Sequence, residues 1–285
     1  MNSIACALTA AALFGAALVT TYFALKHMDA LSGARVSIPT ATLLFWLASP
    51  FQDLSGWHGA AAAIFAIVGI FFPAAVTLLT FAANRRLGPA VTGSIGSTAP
   101  VFAVLGAALI LGEPPGMQDL AATALIVLGA TALTRAGSAE TGSGPRSALW
   151  LPWSAAGLRG LAQLLSKLGL TLWPNPFAAA LVGYSLSAIA VWAAPALSGR
   201  NNVFTINRRG AAWFAVTGMM NGGAVLFMYL ALASGPVYEV APIVATYPLF
   251  ALALSALVLR GETLNTERVA GVALTVGGVM LLVAR

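Results

Sequence analysis

Charge is scarce in this chain. Only 8% of its 285 residues are Asp, Glu, Lys or Arg, against about 25% in a soluble domain. So few charges cannot cover a water-exposed surface, so most of that surface must face lipid. Cysteine is nearly absent too: Cys6 is the only one, and it lies in the first apolar run. That excludes an intrachain disulfide framework and a cysteine-based metal site. With one Cys and two distant loop histidines, His27 and His58, the sequence offers no metal centre. No phosphate-binding loop, nucleophile elbow or paired intramembrane carboxylate appears, so the sequence carries no catalytic constellation and calls for no cofactor. ATP-driven transport by this chain alone is disfavoured on the same ground. The net charge of +6 forms no patch with interleaved aromatics, so no nucleic-acid partner is expected.

What fills the chain instead is apolar sequence, 59% of it. Cut at charges and turn residues, it gives ten runs near the 20-residue length of a membrane span. They cover about 3–25, 33–50, 59–83, 88–111 and 117–134, then 149–171, 177–197, 211–233, 236–259 and 266–284. Asn84-Arg85-Arg86 marks the end of the third, and Trp173-Pro174-Asn175-Pro176 follows the sixth. The runs are apolar on all sides, as helices in lipid are, and lack the alternation of a transmembrane barrel. No Lys or Arg precedes Lys26, so the first run lacks the basic start of a signal peptide and reads as a retained helix.

The chain repeats itself. Gly235-Pro236, Pro248, Gly261-Glu262 and Gly278 are echoed by Gly88-Pro89, Pro100, Gly112-Glu113 and Gly129. Glu113 to Gly129 and Glu262 to Gly278 are both separated by 16 residues. This divides the chain into a first repeat at 1–134, a polar Gly- and Ser-rich linker at 135–148, and a second repeat at 149–285. Alternate loops hold 11 of the 14 basic residues, and the opposite side holds only Lys167 and Arg285. The basic side is therefore expected in the cytoplasm, with the linker, and both termini outside. Five spans per repeat is an odd number. The second repeat must then enter the membrane from the opposite face, the inverted arrangement of many secondary transporters.

Two halves that each end in Gly-Pro, a mid-helix Pro, Gly-Glu and a Gly-rich helix resemble the EamA-type members of the drug/metabolite transporter superfamily. The resemblance is strongest over 228–284 and weaker over 81–134. It implies an all-α membrane protein, ten transmembrane helices as two inverted five-helix repeats around a central cavity. It also implies export of small metabolites, often amino acids, and overall similarity points to the YddG-type exporters of aromatic and other amino acids. The expected setting is a bacterial inner membrane, with the termini periplasmic. One departure stands out: Pro114-Pro115 follows Gly112-Glu113, which stiffens that turn relative to Gly261-Glu262-Thr263.

Arg159 is the sharpest candidate, a charge about ten residues into the sixth span. At that depth it costs at least ~2.5 kcal/mol on insertion scales, so it should face a cavity or a partner. Its guanidinium suits a substrate carboxylate; a buried Arg bonded to backbone carbonyls is the bland alternative. Gln163, Ser166 and Lys167 continue its face, Lys167 reading as a snorkelling helix end. Asn221 beside Gly222 offers a donor and an acceptor, or else a helix-to-helix bond. Ser97 lies on a small-residue face of the fourth span. Tyr247 precedes Pro248 in the ninth and is placed to stack on an aromatic substrate. Trp153 and Tyr22 lie deep enough to line a cavity, whereas Trp46, Trp192, Trp213 and Tyr184 fit an interfacial belt. Glu239 and Glu113 read as acidic residues at helix starts. Pro73, Pro100, Pro248 and Gly222 are the expected bending points. A small-molecule substrate and the bilayer are the expected partners; the sequence fixes no oligomeric state. Against amino-acid transport stands transport of nucleosides, sugars or drugs, of which Arg159 disfavours cations. A membrane enzyme or scaffold would explain neither the missing acid–base groups nor the inverted repeat.

Overall fold

The computed structural model describes residues 2–136, 145–198, 204–258 and 266–284. Among them every regular element is a helix. In chain order these are α1 (Ser3–Leu25), α2 (Ala30–Ala48), α3 (Gly59–Gly69), α4 (Val76–Gly96), α5 (Ala99–Gly106) and α6 (Met117–Ala136). The second half holds α7 (Trp150–Leu172), α8 (Pro176–Ser198), α9 (Arg208–Ser234), α10 (Val237–Val244), α11 (Tyr247–Val258) and α12 (Thr266–Val283). The Gly261-Glu262 corner and the centre of the expected linker lie outside the described residues.

Helix starts are set by side chains that accept the unpaired backbone N–H groups of the first turn. Asn2 Oδ1 accepts from Ile4 N at 3.0 Å, and Asp29 Oδ1 from Leu31 N and Ser32 N. Asn175 and Asn207 do the same for α8 and α9. Gly112 takes the left-handed conformation, φ +65°, that ends the helical stretch after α5.

Among the described residues eight helical stretches are long and apolar enough to cross a membrane. Two of the ten expected spans fall outside that set. α7 has the length, 23 residues, but carries Arg159, Gln163, Ser166 and Lys167. The fourth span shrinks to Ala99–Leu111, because α4 runs unbroken through Asn84-Arg85-Arg86 to Gly96. Charged residues end an apolar run, yet Asn and Arg are tolerated inside a helix, so the expected stop at 83 does not occur.

Helix breaks instead precede two prolines. The chain turns at Ser97–Thr98 before Pro100 and at Ala245–Thr246 before Pro248. In each case the proline removes the N–H that would bond four residues back.

Helix packing comes in twins. α1 packs on α9 and on α10–α11; α7 packs on α3–α4 and on α5. α2 lies against α9 as α8 lies against α3, while α2 meets α8 and α6 meets α12. The closest approaches match as well. A methyl group at Gly69 would overlap the Gly183 carbonyl, and one at Gly218 the Ser37 carbonyl. Gly69 and Gly218 sit at equivalent places in the two repeats. The contacts thus survive exchange of the two halves. Between the halves, buried residues from Cys6 to Leu282 form one continuous core.

Candidate functional site

A central cavity of about 260 Å³ opens among α1, α4, α5 and α7–α11, close to the lower end of the ~300–1,000 Å³ usual for small-molecule sites. Its wall is mostly apolar, with Phe14, Leu18, Val76, Val225 and Met228 among the lining. Arg159 is the one charged side chain on it among the described residues. The guanidinium passes beside Gly96, where a methyl group would sit 3.7 Å from Nη1, in ordinary contact. No hydrogen bond or ion pair within the described residues engages that guanidinium. Gln163, one turn on, also lines the cavity; it is 4% exposed and its Oε1 has no partner among the described residues.

The other sequence candidates divide. Asn221, Tyr247 and Pro100 line the same cavity as Arg159 and Gln163. Tyr22 and Trp153 do not. Tyr22 is half exposed, edge-on to Phe23 and under the Lys26 ammonium. Trp153 is half exposed against Phe102. Ser97 is buried at the turn between α4 and α5, off the cavity wall. Gly222 packs on Ala41 and Phe45, and Pro248 is buried at the α10–α11 break.

Tyr184 is the residue that the belt reading misplaces. It is 2% exposed, tilted against Phe45, and its hydroxyl has no partner among the described residues. It lines the central cavity and a smaller chamber of about 60 Å³ beside it. The signal was present in the run Gly183-Tyr184-Ser185-Leu186-Ser187, which is polar for mid-span. Ser187 bonds the Gly69 carbonyl and Thr42 the Tyr184 carbonyl, fixing α8 against its neighbours.

The cavity lies between two ends that are held together in different ways. At one, Lys167 Nζ donates to the carbonyls of Leu232 and Gly235, both at 2.8 Å, and lies 3.8 Å from Glu113 Oε1. Glu113 Oε2 accepts from Val237 N at 2.8 Å, and Ser3 Oγ donates to Glu239 at 2.6 Å. The lysine is 13% exposed and the glutamate 20%, so Lys167 is a packed ion rather than a snorkelling end. It caps the C-terminus of α9, and Glu113 caps the N-terminus of α10, each with the charge the helix dipole favours. Glu113 does meet a helix start, but one 124 residues away in sequence.

At the other end, where Lys26, Arg208 and Arg209 gather, Phe214 fills a notch over Gly33. Asp29 Oδ2 accepts from Thr205 Oγ1 at 3.0 Å. Arg35 is buried within α2, with its guanidinium 5.3 Å from the Trp192 ring and 5.8 Å from Phe204. Asp29 stays below the usual carboxylate range: burial pushes it up, but hydrogen bonds from Ser32, Thr205 and Leu31 outweigh that. Among the described residues no three His, Cys, Asp or Glu side chains come together as a metal site.

A solved crystal structure shares 16% identity with this chain. It aligns over 98% of this chain and 95% of its own, with a TM-score of 0.78, which establishes a common fold. No curated protein matches. The family match is direct and falls twice on the chain, over residues 1–135 and 149–284. With eight helical stretches among the described residues long and apolar enough to cross a membrane, packed around a central cavity, this is a multi-pass membrane protein of a kind that carries small solutes. The chain belongs to the EamA-like transporter family.

Proposed function

We propose that this chain is a secondary transporter that exports carboxylate-bearing metabolites, amino acids foremost, by alternating access. The observation that carries the reading is the Arg159 guanidinium, without a counter-ion among the described residues on a mostly apolar cavity wall. A membrane-buried charge of this kind is an expensive feature, and a planar guanidinium matches a carboxylate in two-point geometry. The apolar wall and Tyr247 then receive the side chain, aromatic ones included, as in YddG-type exporters.

The twin contacts of the two halves support ten spans in two inverted repeats. In that frame the basic loops are cytoplasmic, the termini periplasmic and the membrane the bacterial inner one. The cavity reaches toward the basic-loop side through Leu18, Thr21, Thr77 and Thr80, while the Lys167 end is shut by ions. Pro100, Pro248 and Gly222 stand where α4–α5, α10–α11 and α2–α9 would bend or slide.

The test is transport of labelled amino acids, nucleosides and sugars in reconstituted vesicles, with wild type and Arg159→Ala. Amino acids are expected to be carried, and the variant to lose about 100-fold or more, as for removal of a buried charged hydrogen bond. Transport of sugars or nucleosides alone, or a correctly folded variant at full rate, would overturn the reading.

A further inference from the structure

Beside the central cavity lies the chamber of about 60 Å³, and the two share Thr21, Pro73, Thr77, Tyr184 and Asn221. These residues belong to the wall of both spaces. Their walls differ in kind. The central cavity is mostly apolar around one guanidinium. Among the described residues, six of the eleven that line the chamber are neutral and polar, Thr21, Ser37, Thr77, Tyr184, Thr217 and Asn221, and none is charged. Much of that hydrogen-bonding capacity is unused. Among the described residues the Tyr184 hydroxyl has no partner although the residue is 98% buried, and no bond engages the side chains of Asn221, Ser37 or Thr77. Thr21 donates to the Ala17 carbonyl and Thr217 is bonded to Thr20, and each keeps accepting capacity. A buried polar group left unpaired is costly, so these groups call for a guest that hydrogen-bonds.

We infer that this chamber is a second subsite, which takes an uncharged hydrogen-bonding group of the substrate, a hydroxyl or carboxamide, while Arg159 holds its carboxylate. The inference rests on the amino-acid reading above. Three features set the class. Tyr184 and Asn221 can each donate and accept, which suits a hydroxyl or an amide and gives no preference to an anion or a cation. The absence of charge on the chamber wall disfavours a charged side chain there, which would lose its hydration without a counter-ion. The size admits a few non-hydrogen atoms and not a whole ring. Tyr184 and Asn221 are then specificity-determining residues, and the aromatic or aliphatic body of a substrate stays in the larger cavity.

Threonine and valine have the same shape and differ by a hydroxyl for a methyl, so their ratio isolates the subsite. Competition binding with labelled threonine and valine to the purified full-length protein is expected to favour threonine about tenfold in wild type. A site that hydrogen-bonds a hydroxyl discriminates against the analogue lacking it at least that well. In Tyr184→Phe and in Asn221→Leu the preference is expected to fall to within twofold. Equal binding of the two amino acids by wild type, or variants that lower both in proportion, would overturn the subsite and leave the amino-acid reading standing. Binding of neither by wild type would overturn that reading, and the subsite with it.

Discussion

At one end of the cavity a lysine and a glutamate hold the corner between α9 and α10; at the other a phenylalanine ring sits in a glycine notch. The first closure is made of charge. Lys167 binds the last carbonyls of α9, Glu113 the first amide of α10, and the two ions face each other. The second is made of shape, Phe214 over Gly33, with an aromatic stack on Arg35 and a neutral hydroxyl on Asp29. The two should break differently. A closure of charges fails when one partner is removed, because the other is left partly buried and unpaired. A closure of packing fails by leaving a void, and its cost grows with the volume removed. The charged closure also joins the two repeats: Glu113 belongs to the first, Lys167 and Val237 to the second. Any opening at that end must part them.

The largest effect is expected from Phe214→Ala. The ring is 2% exposed and packs with Ala24 and Met28 as well as Gly33. Its removal should lower stability by about 3–4 kcal/mol, the usual range for a buried aromatic cut to alanine. Unfolding in detergent measures this. A loss below about 1 kcal/mol, within the range of ordinary surface substitutions, would mean that packing does not hold this end.

Lys167→Met should cost less, about 1–2 kcal/mol, because both ions keep some contact with solvent. Its sharper readout is Cys6, which is buried one turn beyond Ser3 at the start of α1. Weakening the closure by about 1 kcal/mol raises the open population about fivefold. Modification of Cys6 by a membrane-impermeant maleimide should rise by that factor. Adding Glu113→Gln removes the stranded carboxylate and should restore part of the lost stability. Unchanged Cys6 reactivity in Lys167→Met would show that the ion pair does not govern this end.

Much of this architecture could be read from residue types. The duplication reappears as twin contacts, and the breaks before Pro100 and Pro248 fall where a missing N–H must interrupt the helix. Depth along a span was legible too: Arg159, Gln163, Asn221 and Tyr247 do share one cavity. The face of each helix was not. In a soluble helix the polar side marks the outside, but a lipid-facing side chain is as apolar as a packed one. Tyr22 and Trp153 therefore had the right depth and the wrong rotation, and Tyr184, taken for an interfacial residue, points inward. The pairing of Lys167 with Glu113 was hidden for another reason. Each lies near the end of its own apolar run, where a snorkelling lysine or an acid at a helix start is explanation enough. Only the fold brings Gly235 and Val237 between them.

The smallest effect expected is also the one that separates the two ends by pH. Asp29 caps α2 and holds Thr205, and its hydrogen bonds keep its carboxyl below the usual value of 3.8 despite the opposing effect of burial. A carboxylate whose pKa is lower in the folded than in the unfolded protein adds stability that is present above the unfolded value. That stability is lost as pH falls through the folded one. The basic-loop end should therefore loosen as pH drops from about 5 toward 3, by no more than the ~1 kcal/mol of a helix cap. Asp29→Asn keeps a capping oxygen but cannot titrate. Its stability should be slightly lower at neutral pH, with this part of the acid slope removed. Hydrogen exchange at the first turn of α2, followed against pH in wild type and variant, measures the difference. Identical acid profiles in the two proteins would show that Asp29 contributes nothing to closure at that end.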